Sequence, residues 1–489
     1  MTELAKADAR RRWIVRIAIL CLYVLGLNPY LTPALNDNAE FMFLAESLGA
    51  GEGYQIGGAH VVDRAPLVPL LLAPFAALGV RSLLALKALL LIPVLAGIVL
   101  VGIVLVDRAD RRESWPGPVT VLFAILPTSL YFGTEVMSEW TYLVCSFAFL
   151  LLLRRVGTAE GGVRACVLAG LVLALSISAR YVGALLAVPV LVRMARHRQQ
   201  RSVRPELLTL LVAAVPTAGW AIASRHATSE LIPNFSGNML FQAGVPAGET
   251  WARWSIQELA TRQWTNVQTL LGHLAELLMG GASALRQLGL GDTGLEPLLI
   301  LFVAGLVALG LVDSLRRRRH LEETAYVLAT LVFLSTTGWV RLRYLLPIAP
   351  FLVLYVVRAL DLLLRRFDPR AMTAALWLWG AVLIVGDAMV LFRGDPKGLH
   401  GGISVLASAT EADFYRGEAR ELYELCRRIR DDPERGRVAG WGQGYAYLRL
   451  YSGRDVADDG RFAIARKPAD VGGRLVVETP HYVLLDRSR

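Results

Sequence analysis

Three carboxylates stand close together near the start of the chain, in the polar stretch 35–69 that follows the first apolar segment: Asp37, Glu40 and Glu46. A carboxylate held at the start of a helix, next to a hydroxyl-bearing substrate, can act as a general base. The same residues also suit a structural role, because Asp37 and Glu40 have the spacing of a helix capping box. Both roles stay open for Asp37. Glu40 is better suited to capping or to supporting Asp37, and we expect Glu46 on a solvated face.

Basic residues that could bind a phosphate group lie elsewhere in the chain. Arg341 and Arg343 are two residues apart in GWVRLRYLLPIAP, and Arg64, Lys87 and Arg180 are further candidates. A guanidinium can make a charge-assisted, bidentate contact to phosphate. Residues two apart diverge on a helix, so we expect at least one of Arg341 and Arg343, and not necessarily both, to contact a substrate phosphate. The alternative is that they anchor the protein to lipid phosphates at the membrane surface.

Two more carboxylates, Glu135 and Glu139, occur in the segment TEVMSEW. They could be structural counter-ions of the basic residues, since a charge buried without a partner is costly. Either could instead join Asp37 in an oxygen-ligand site for a divalent metal. We expect no metal and no other cofactor, because the basic residues can neutralise the charge of a lone phosphate.

The composition indicates what kind of scaffold positions these residues. Of the 489 residues, 55% are hydrophobic and only 19% are charged, and the mean hydropathy is +0.47. This is too apolar for an ordinary soluble protein, and many apolar runs approach the thickness of a bilayer. The net charge of +10 lies in short basic clusters between the apolar runs. Such clusters orient membrane helices, so we expect an integral membrane protein and no nucleic-acid partner.

Apolar runs and arginine clusters together predict about 11 transmembrane helices, with the N-terminus inside and the C-terminus outside. The first span is expected at 13–31. Residues 65–78 are proline-rich and too few for a comfortable span, so we expect an interfacial or re-entrant helix there. Later spans are expected, among others, at 118–132, 182–191 and 344–363. In this topology the candidate carboxylates and basic groups gather at the outer ends of the spans, where both charge signs meet.

The chain divides into a membrane part and a soluble part. Residues 1–392 form the predicted transmembrane domain, with a first outer loop at 28–81 and a large outer loop at 225–294. From 393 to 489 the composition turns polar. The elements predicted in this part are one amphipathic helix and three strands, at 411–430, 437–441, 474–478 and 482–485. The predicted fold class is an all-α polytopic membrane protein with juxtamembrane helices in the first outer loop, plus a small C-terminal α/β domain outside the membrane.

The order of several short motifs resembles a known family. The early aspartate is followed by AESLGAGEGY, by RAPLVPLLLAPFAALG, by SEW at the start of a span, and by RLRYLLPIAP near the last spans. Across residues 13–366 this order resembles the GT-C superfamily of membrane glycosyltransferases, in the bacterial branch akin to protein O-mannosyltransferases and lipid A aminoarabinose transferase. The resemblance implies transfer of a hexose or pentose from a polyprenyl-phosphate donor to a lipid, glycan or protein acceptor. It also implies inversion at the sugar and a site at the outer face of the bacterial cytoplasmic membrane.

Residue roles follow from the resemblance by position. Asp37 matches the aspartate of the first loop that is treated as catalytic in this family. The family's frequent Asp-Glu pair is replaced here by Asp37-Asn38. Glu139 matches the second acid, in the Ser-Glu motif, and Arg341 or Arg343 matches the basic group near the donor phosphate.

Two other classes of function also fit a polytopic membrane protein. A transporter or flippase of lipid-linked or polar solutes would place ionisable groups near the bilayer midplane and broken helices in paired positions. The charges here are expected at the outer edge, which favours the glycosyltransferase. The third class is a non-enzymatic scaffold for envelope assembly, with the exterior domain as its working part.

Overall fold

The computed structural model describes most of the membrane part of the chain and short pieces of the C-terminal part. The described residues are 3–28, 36–56, 59–61, 64–80, 82–109, 115–158, 160–197, 202–224, 256–280, 294–317, 320, 321–336, 340–364, 369–393, 425–426, 428–429, 438–439, 462–466, 474–478 and 482–486.

The membrane part is built of helices. In chain order they are α1 (Glu3–Gly26), α2 (Asn36–Gly49), α3 (Leu67–Ala77), α4 (Leu83–Arg108), α5 (Pro116–Ala124), α6 (Pro127–Gly133), α7 (Glu139–Leu153), α8 (Gly162–Ala179), α9 (Ala187–His197), α10 (Arg204–Ser224), α11 (Ile256–Met279), α12 (Leu295–Arg316), α13 (Leu321–Thr336), α14 (Ala349–Leu364) and α15 (Pro369–Arg393). A 3-10 segment, Tyr181–Leu186, leads into α9, and another, Leu342–Ile348, leads into α14.

Several of these helices are long and apolar enough to cross a membrane. Within the described residues there are six, or up to seven if a bent helix pair counts as one span: α4, α8, α10, α12, α14 with its 3-10 segment, and α15. Shorter apolar helices lie at Trp13–Gly26, Leu67–Ala77 and Glu139–Leu153. The predicted class, an all-α polytopic membrane protein, is confirmed. The count of about 11 spans stays a prediction.

The single span predicted at 118–132 is a bent pair of helices, α5 and α6, in the structure. The axes of α5 and α6 meet at 57°. Leu126, between them, is extended, with φ −64° and ψ 130°. The cause is Pro127, which cannot donate a backbone hydrogen bond and which disfavours helical backbone at the residue before it.

Two other predicted spans, at 182–191 and 344–363, also begin with a break. Arg180 (φ −155°, ψ 133°) and Arg341 (φ −126°, ψ 142°) are extended, and each precedes one of the 3-10 segments. These breaks turn the chain just before α9 and α14, and an arginine candidate lies at each of them.

The predicted first outer loop contains α2, a hairpin of two short strands, β1 (Gln55–Ile56) and β2 (Ala59–His60), and α3. With 11 residues, α3 is about 16 Å long, roughly half the hydrocarbon thickness, as expected for a helix that does not span. It packs closely on α2 at Gly49, which has no side chain. A Cβ added there would lie only 2.8 Å from the backbone nitrogen of Ala77. Glu46 is exposed, as predicted, and Phe41 of the same helix is buried.

Close helix contacts in the core are made at glycines. A Cβ on Gly170 of α8 would lie 2.6 Å from the carbonyl oxygen of Thr209 on α10, and one on Gly310 of α12 would overlap the backbone carbonyl of Tyr355 on α14. Small residues let membrane helices approach until their backbones touch. In the interior, the hydroxyl groups of Tyr142 and Tyr326 lie 2.8 Å apart.

The described part of the C-terminal region is a sheet of four strands. They are β3 (Val438–Ala439), β4 (Phe462–Arg466), β5 (Arg474–Glu478) and β6 (Tyr482–Asp486), in the order β3-β4-β6-β5. The first pair is parallel and the other two pairs are antiparallel. The strands predicted at 474–478 and 482–485 are confirmed, β4 was not predicted, and most of the predicted helix 411–430 lies outside the described residues. The division into domains stays a prediction.

Candidate active site

Asp37 lies in the first turn of α2, where the helix dipole favours a negative charge. Its Oδ2 accepts a charged contact from Nη1 of Arg343 at 2.7 Å, and its Oδ1 lies 3.5 Å from Nη2 of Arg64. The side chain is 20% exposed, so it is largely covered but still open to a ligand. The carboxylate therefore faces two guanidinium groups rather than open solvent.

The charge state of Asp37 is set by these neighbours. Burial by itself would raise the pKa of its carboxyl group, because the charged form loses hydration. The guanidiniums of Arg343, Arg64 and Arg180 outweigh burial and hold the pKa of Asp37 below its usual range. Asp37 is thus ionised at neutral pH, as a general base must be before it takes a proton.

Two of the arginines are held by a single buried carboxylate. Glu139, the first residue of α7, has no exposed side-chain surface. Its Oε1 pairs with Nη1 of Arg180 and lies 3.7 Å from Nε of Arg343. The ring of Tyr344 stacks against both guanidiniums, at 4.9 Å and 5.3 Å from its centroid. Such stacking and pairing fix the two arginines side by side.

Arg64 is held on the other side of Asp37. Its Nε pairs with Glu40. Its backbone carbonyl accepts hydrogen bonds from the hydroxyl groups of Tyr54 at 3.1 Å and Tyr181 at 3.2 Å. The predicted first outer loop is therefore tied to the 3-10 segment that follows α8, and Glu40 supports Arg64.

A second charge pair, Lys87 and Glu135, contacts the residue that follows Asp37. Lys87 of α4 and Glu135, in the connection between α6 and α7, are both buried, with Nζ and Oε2 3.0 Å apart. Lys87 also donates to Oδ1 of Asn28 at 3.0 Å. Asn38 donates to the same Oε2 of Glu135 at 2.8 Å.

The structure thus brings together residues that are far apart in the sequence. Asp37, Glu40, Arg64, Glu139, Arg180 and Arg343 form one cluster of three carboxylates and three guanidiniums, in formal charge balance. We call it the ionic cluster. Of the two candidate arginines, Arg343 contacts Asp37, whereas Arg341 is exposed in the extended backbone before the 3-10 segment. The reading of Glu135 and Glu139 as counter-ions agrees with their contacts.

Tyr344, Ser138 and Asn28 are among the residues of the site that escaped prediction. Ser138 accepts a hydrogen bond from Nη1 of Arg180 at 3.3 Å. In the sequence, only their position next to a candidate residue could have indicated Tyr344 and Ser138, since Tyr344 follows Arg343 and Ser138 precedes Glu139. Nothing in their types distinguishes them from ordinary interfacial or capping residues.

The carboxylates that were candidates for a metal site pair with cationic side chains instead of with one another. Within the described residues, no group of three or more His, Cys, Asp or Glu side chains could hold a metal ion. Asp37, Glu135 and Glu139 each face a cationic side chain. The expectation that no metal is used stays a prediction.

The fold of the chain can be compared with solved structures. The chain shares its fold with solved structures of ArnT and of an archaeal oligosaccharyltransferase, which confirms the predicted resemblance at the level of the fold. No protein-family model and no curated protein matches the chain.

Particular solved structures share this fold. One is the apo crystal structure of ArnT from Cupriavidus metallidurans, with a TM-score of 0.59, 13% identity, and 98% of each chain covered. ArnT from the same organism bound to undecaprenyl phosphate gives a TM-score of 0.57 at 13% identity, covering 96% of this chain and 97% of that one. The Archaeoglobus fulgidus oligosaccharyltransferase AglB, in complex with an inhibitory peptide and a dolichol-phosphate, gives 0.51 at 13% identity. This chain is 92% covered in that match and spans 64% of AglB.

Proposed function

We propose that the protein is a glycosyltransferase that moves a sugar from a polyprenyl-phosphate donor to the hydroxyl group of an acceptor. The observation that carries the proposal is the ion pair of Asp37 with Arg343, which sets a carboxylate base beside a guanidinium that can bind phosphate. The fold supports it, because it is shared with an ArnT structure bound to undecaprenyl phosphate and with an AglB structure that contains a dolichol-phosphate.

In the proposed reaction, Asp37 takes the proton of the acceptor hydroxyl while that oxygen attacks the anomeric carbon of the sugar. The bond between the anomeric carbon and the phosphate oxygen breaks, and the electron pair leaves with the polyprenyl phosphate. Attack from the face opposite the leaving group inverts the anomeric centre. Arg343 and Arg180 stabilise the charge that develops on the phosphate, and they are already in place because Glu139 holds them.

The location and substrates form part of the proposal. We propose that the N-terminus lies inside and the ionic cluster lies at the outer face of a bacterial cytoplasmic membrane, and the positions of the arginine clusters support this orientation. There the donor would be held by its lipid tail among membrane lipids, which restricts both substrates to one interface. The acceptor class is a lipid, glycan or protein, and the donor sugar is a hexose or a pentose.

Binding of undecaprenyl phosphate to purified protein in detergent tests the phosphate site. Arg343→Ala should weaken binding by about 10- to 100-fold, since a hydrogen bond to a charged group contributes roughly 1.5–3 kcal/mol. Arg341→Ala is the matched control, because it removes the same charge two residues away at an exposed position. It should bind within about twofold of wild type. Wild-type affinity in the Arg343→Ala variant would contradict the assignment.

Transfer itself is tested in cells. Mass spectrometry of envelope lipids, glycans and glycoproteins should reveal a sugar that is missing from a deletion strain and restored by the wild-type gene. Asp37→Asn should insert normally and fail to restore the sugar. Restoration by Asp37→Asn would rule out Asp37 as the base, and an unchanged sugar profile in the deletion strain would count against glycosyl transfer.

A further inference from the structure

Lys87 was a candidate for binding the donor phosphate, but its surroundings suit another role. It lies in the N-terminal third of α4 and has no exposed side-chain surface. Its ammonium group is engaged by Oε2 of Glu135 and by Oδ1 of Asn28, each at 3.0 Å. A fully covered ammonium with two acceptors already in contact has little left to offer a ligand.

The partner carboxylate does more than neutralise this lysine. Oε2 of Glu135 also accepts the hydrogen bond from Nδ2 of Asn38 at 2.8 Å. Asn38 has no exposed surface and directly follows Asp37 in the first turn of α2. One oxygen atom therefore joins α4, the connection between α6 and α7, and the start of the helix that carries the proposed base.

The same connection runs on into α7. Four residues after Glu135, Glu139 holds Arg180 and lies beside Arg343. One end of this short segment thus fixes α2 through Asn38, and the other end fixes the guanidiniums. The distance between the proposed base and the phosphate-binding groups depends on both anchors.

We propose that Lys87, Glu135 and Asn38 form a positioning chain that sets the direction of the Asp37 side chain, and that Lys87 acts in this chain and not on the donor phosphate. Successive residues of a helix point about 100° apart, so anchoring Asn38 inward fixes where Asp37 points. A buried ion pair is a costly way to gain stability, and its best-attested use is to specify one arrangement. The inference rests on the proposed function for the role of Asp37.

Asn38→Leu tests the anchor, because it removes the donor to Glu135 and keeps a side chain of similar size. Misplacing a reacting group by about 1 Å can cost about 100-fold in rate. We expect the maximal rate of transfer, measured with lipid-linked sugars extracted from cells, to fall by about that factor. Affinity for undecaprenyl phosphate should not fall by more than about twofold, because Glu139 still holds the arginines. The matched control is Ser47→Ala, which removes a hydrogen bond to the Gly53 carbonyl from the same helix and should leave the rate unchanged.

Two variants that remove the charge of Lys87, first alone and then together with that of Glu135, test the role of Lys87. Lys87→Met leaves Glu135 buried beside an apolar side chain and should impair folding and transfer. In Lys87→Met/Glu135→Gln the charge is gone, and the carbonyl oxygen of the new glutamine can still accept from Asn38. We expect the double variant to recover folding and to bind undecaprenyl phosphate within about twofold of wild type. A lysine that contacts the phosphate would instead leave the double variant with weakened binding, and that result would overturn the inference.

Thermal unfolding gives a readout that needs no activity. If Asn38 positions Asp37, the ion pair of Asp37 with Arg343 is already disturbed in Asn38→Leu. Adding Asp37→Asn to that variant should then lower the Tm less than Asp37→Asn does in the wild type. Additive Tm shifts, or a wild-type transfer rate in Asn38→Leu, would overturn the positioning role. A wild-type protein that binds no undecaprenyl phosphate and transfers no sugar would refute the proposed function. The Tm values of the two single variants and the double variant would still show whether Asn38 positions Asp37.

Discussion

Replacing the proposed base should improve donor binding while it abolishes transfer. In the free protein Arg343 is held by Asp37 at 2.7 Å, so an incoming phosphate competes with this carboxylate for the guanidinium. Asp37→Asn removes the competing charge with almost no change in side-chain volume. The variant should therefore bind undecaprenyl phosphate more tightly than the wild type.

The size of the effect follows from the geometry. Two unit charges about 4 Å apart interact by about 4 kcal/mol at an effective dielectric constant of 20. The side chains of Asp37 and Arg343 are 20% and 11% exposed, and Glu139 remains beside Arg343, so only part of this energy is recovered. A gain of about 1–2 kcal/mol corresponds to about 5- to 30-fold tighter binding.

The assay is equilibrium binding of undecaprenyl phosphate to purified protein at pH 7 and at low and high salt. Glu46→Gln is the matched control, because it removes one negative charge from an exposed position of the same helix. It should change affinity by less than about twofold, and the change should vanish in high salt because exposed charges are screened. Equal or weaker binding by Asp37→Asn would refute the competition for Arg343. A gain of the same size in Glu46→Gln would assign the effect to net charge.

Three further outcomes are expected from thermal unfolding. The Tm difference between wild type and Asp37→Asn should be constant from pH 5 to 8 and shrink only below about pH 4, since a lowered pKa keeps the stabilising ion pairs until the pH falls through it. Gly310→Ala should destabilise by about 1–3 kcal/mol because its Cβ overlaps the Tyr355 carbonyl, whereas Gly305→Ala, with open space around it, should not lower the Tm. Asp387→Asn should raise the Tm, because among the described residues neither buried oxygen of Asp387 has a hydrogen-bond partner. A lower Tm for Asp387→Asn would show that this charge is compensated.

Parts of the site were predictable because they depend on position along the chain. Hydropathy and arginine clusters placed Asp37, Arg180 and Arg343 at the same ends of their helices, and the structure joins them in one cluster. The choice between Arg341 and Arg343 was not predictable, because it depends on the extended backbone and 3-10 turn before α14. A helical pattern gives no sign of that turn.

The sequence by itself determined that the chain is a polytopic membrane protein, and it singled out Asp37 and the charged residues that could accompany it. Only the tertiary structure decided which charges pair. The donor and acceptor of the Asn38 to Glu135 hydrogen bond are 97 residues apart, and those of the Tyr181 to Arg64 bond are 117 apart. Hydropathy and capping are properties of neighbouring residues, whereas such contacts depend on how several helices pack. The sequence marked Lys87 as a cation near the site, and packing made it the buried partner of Glu135.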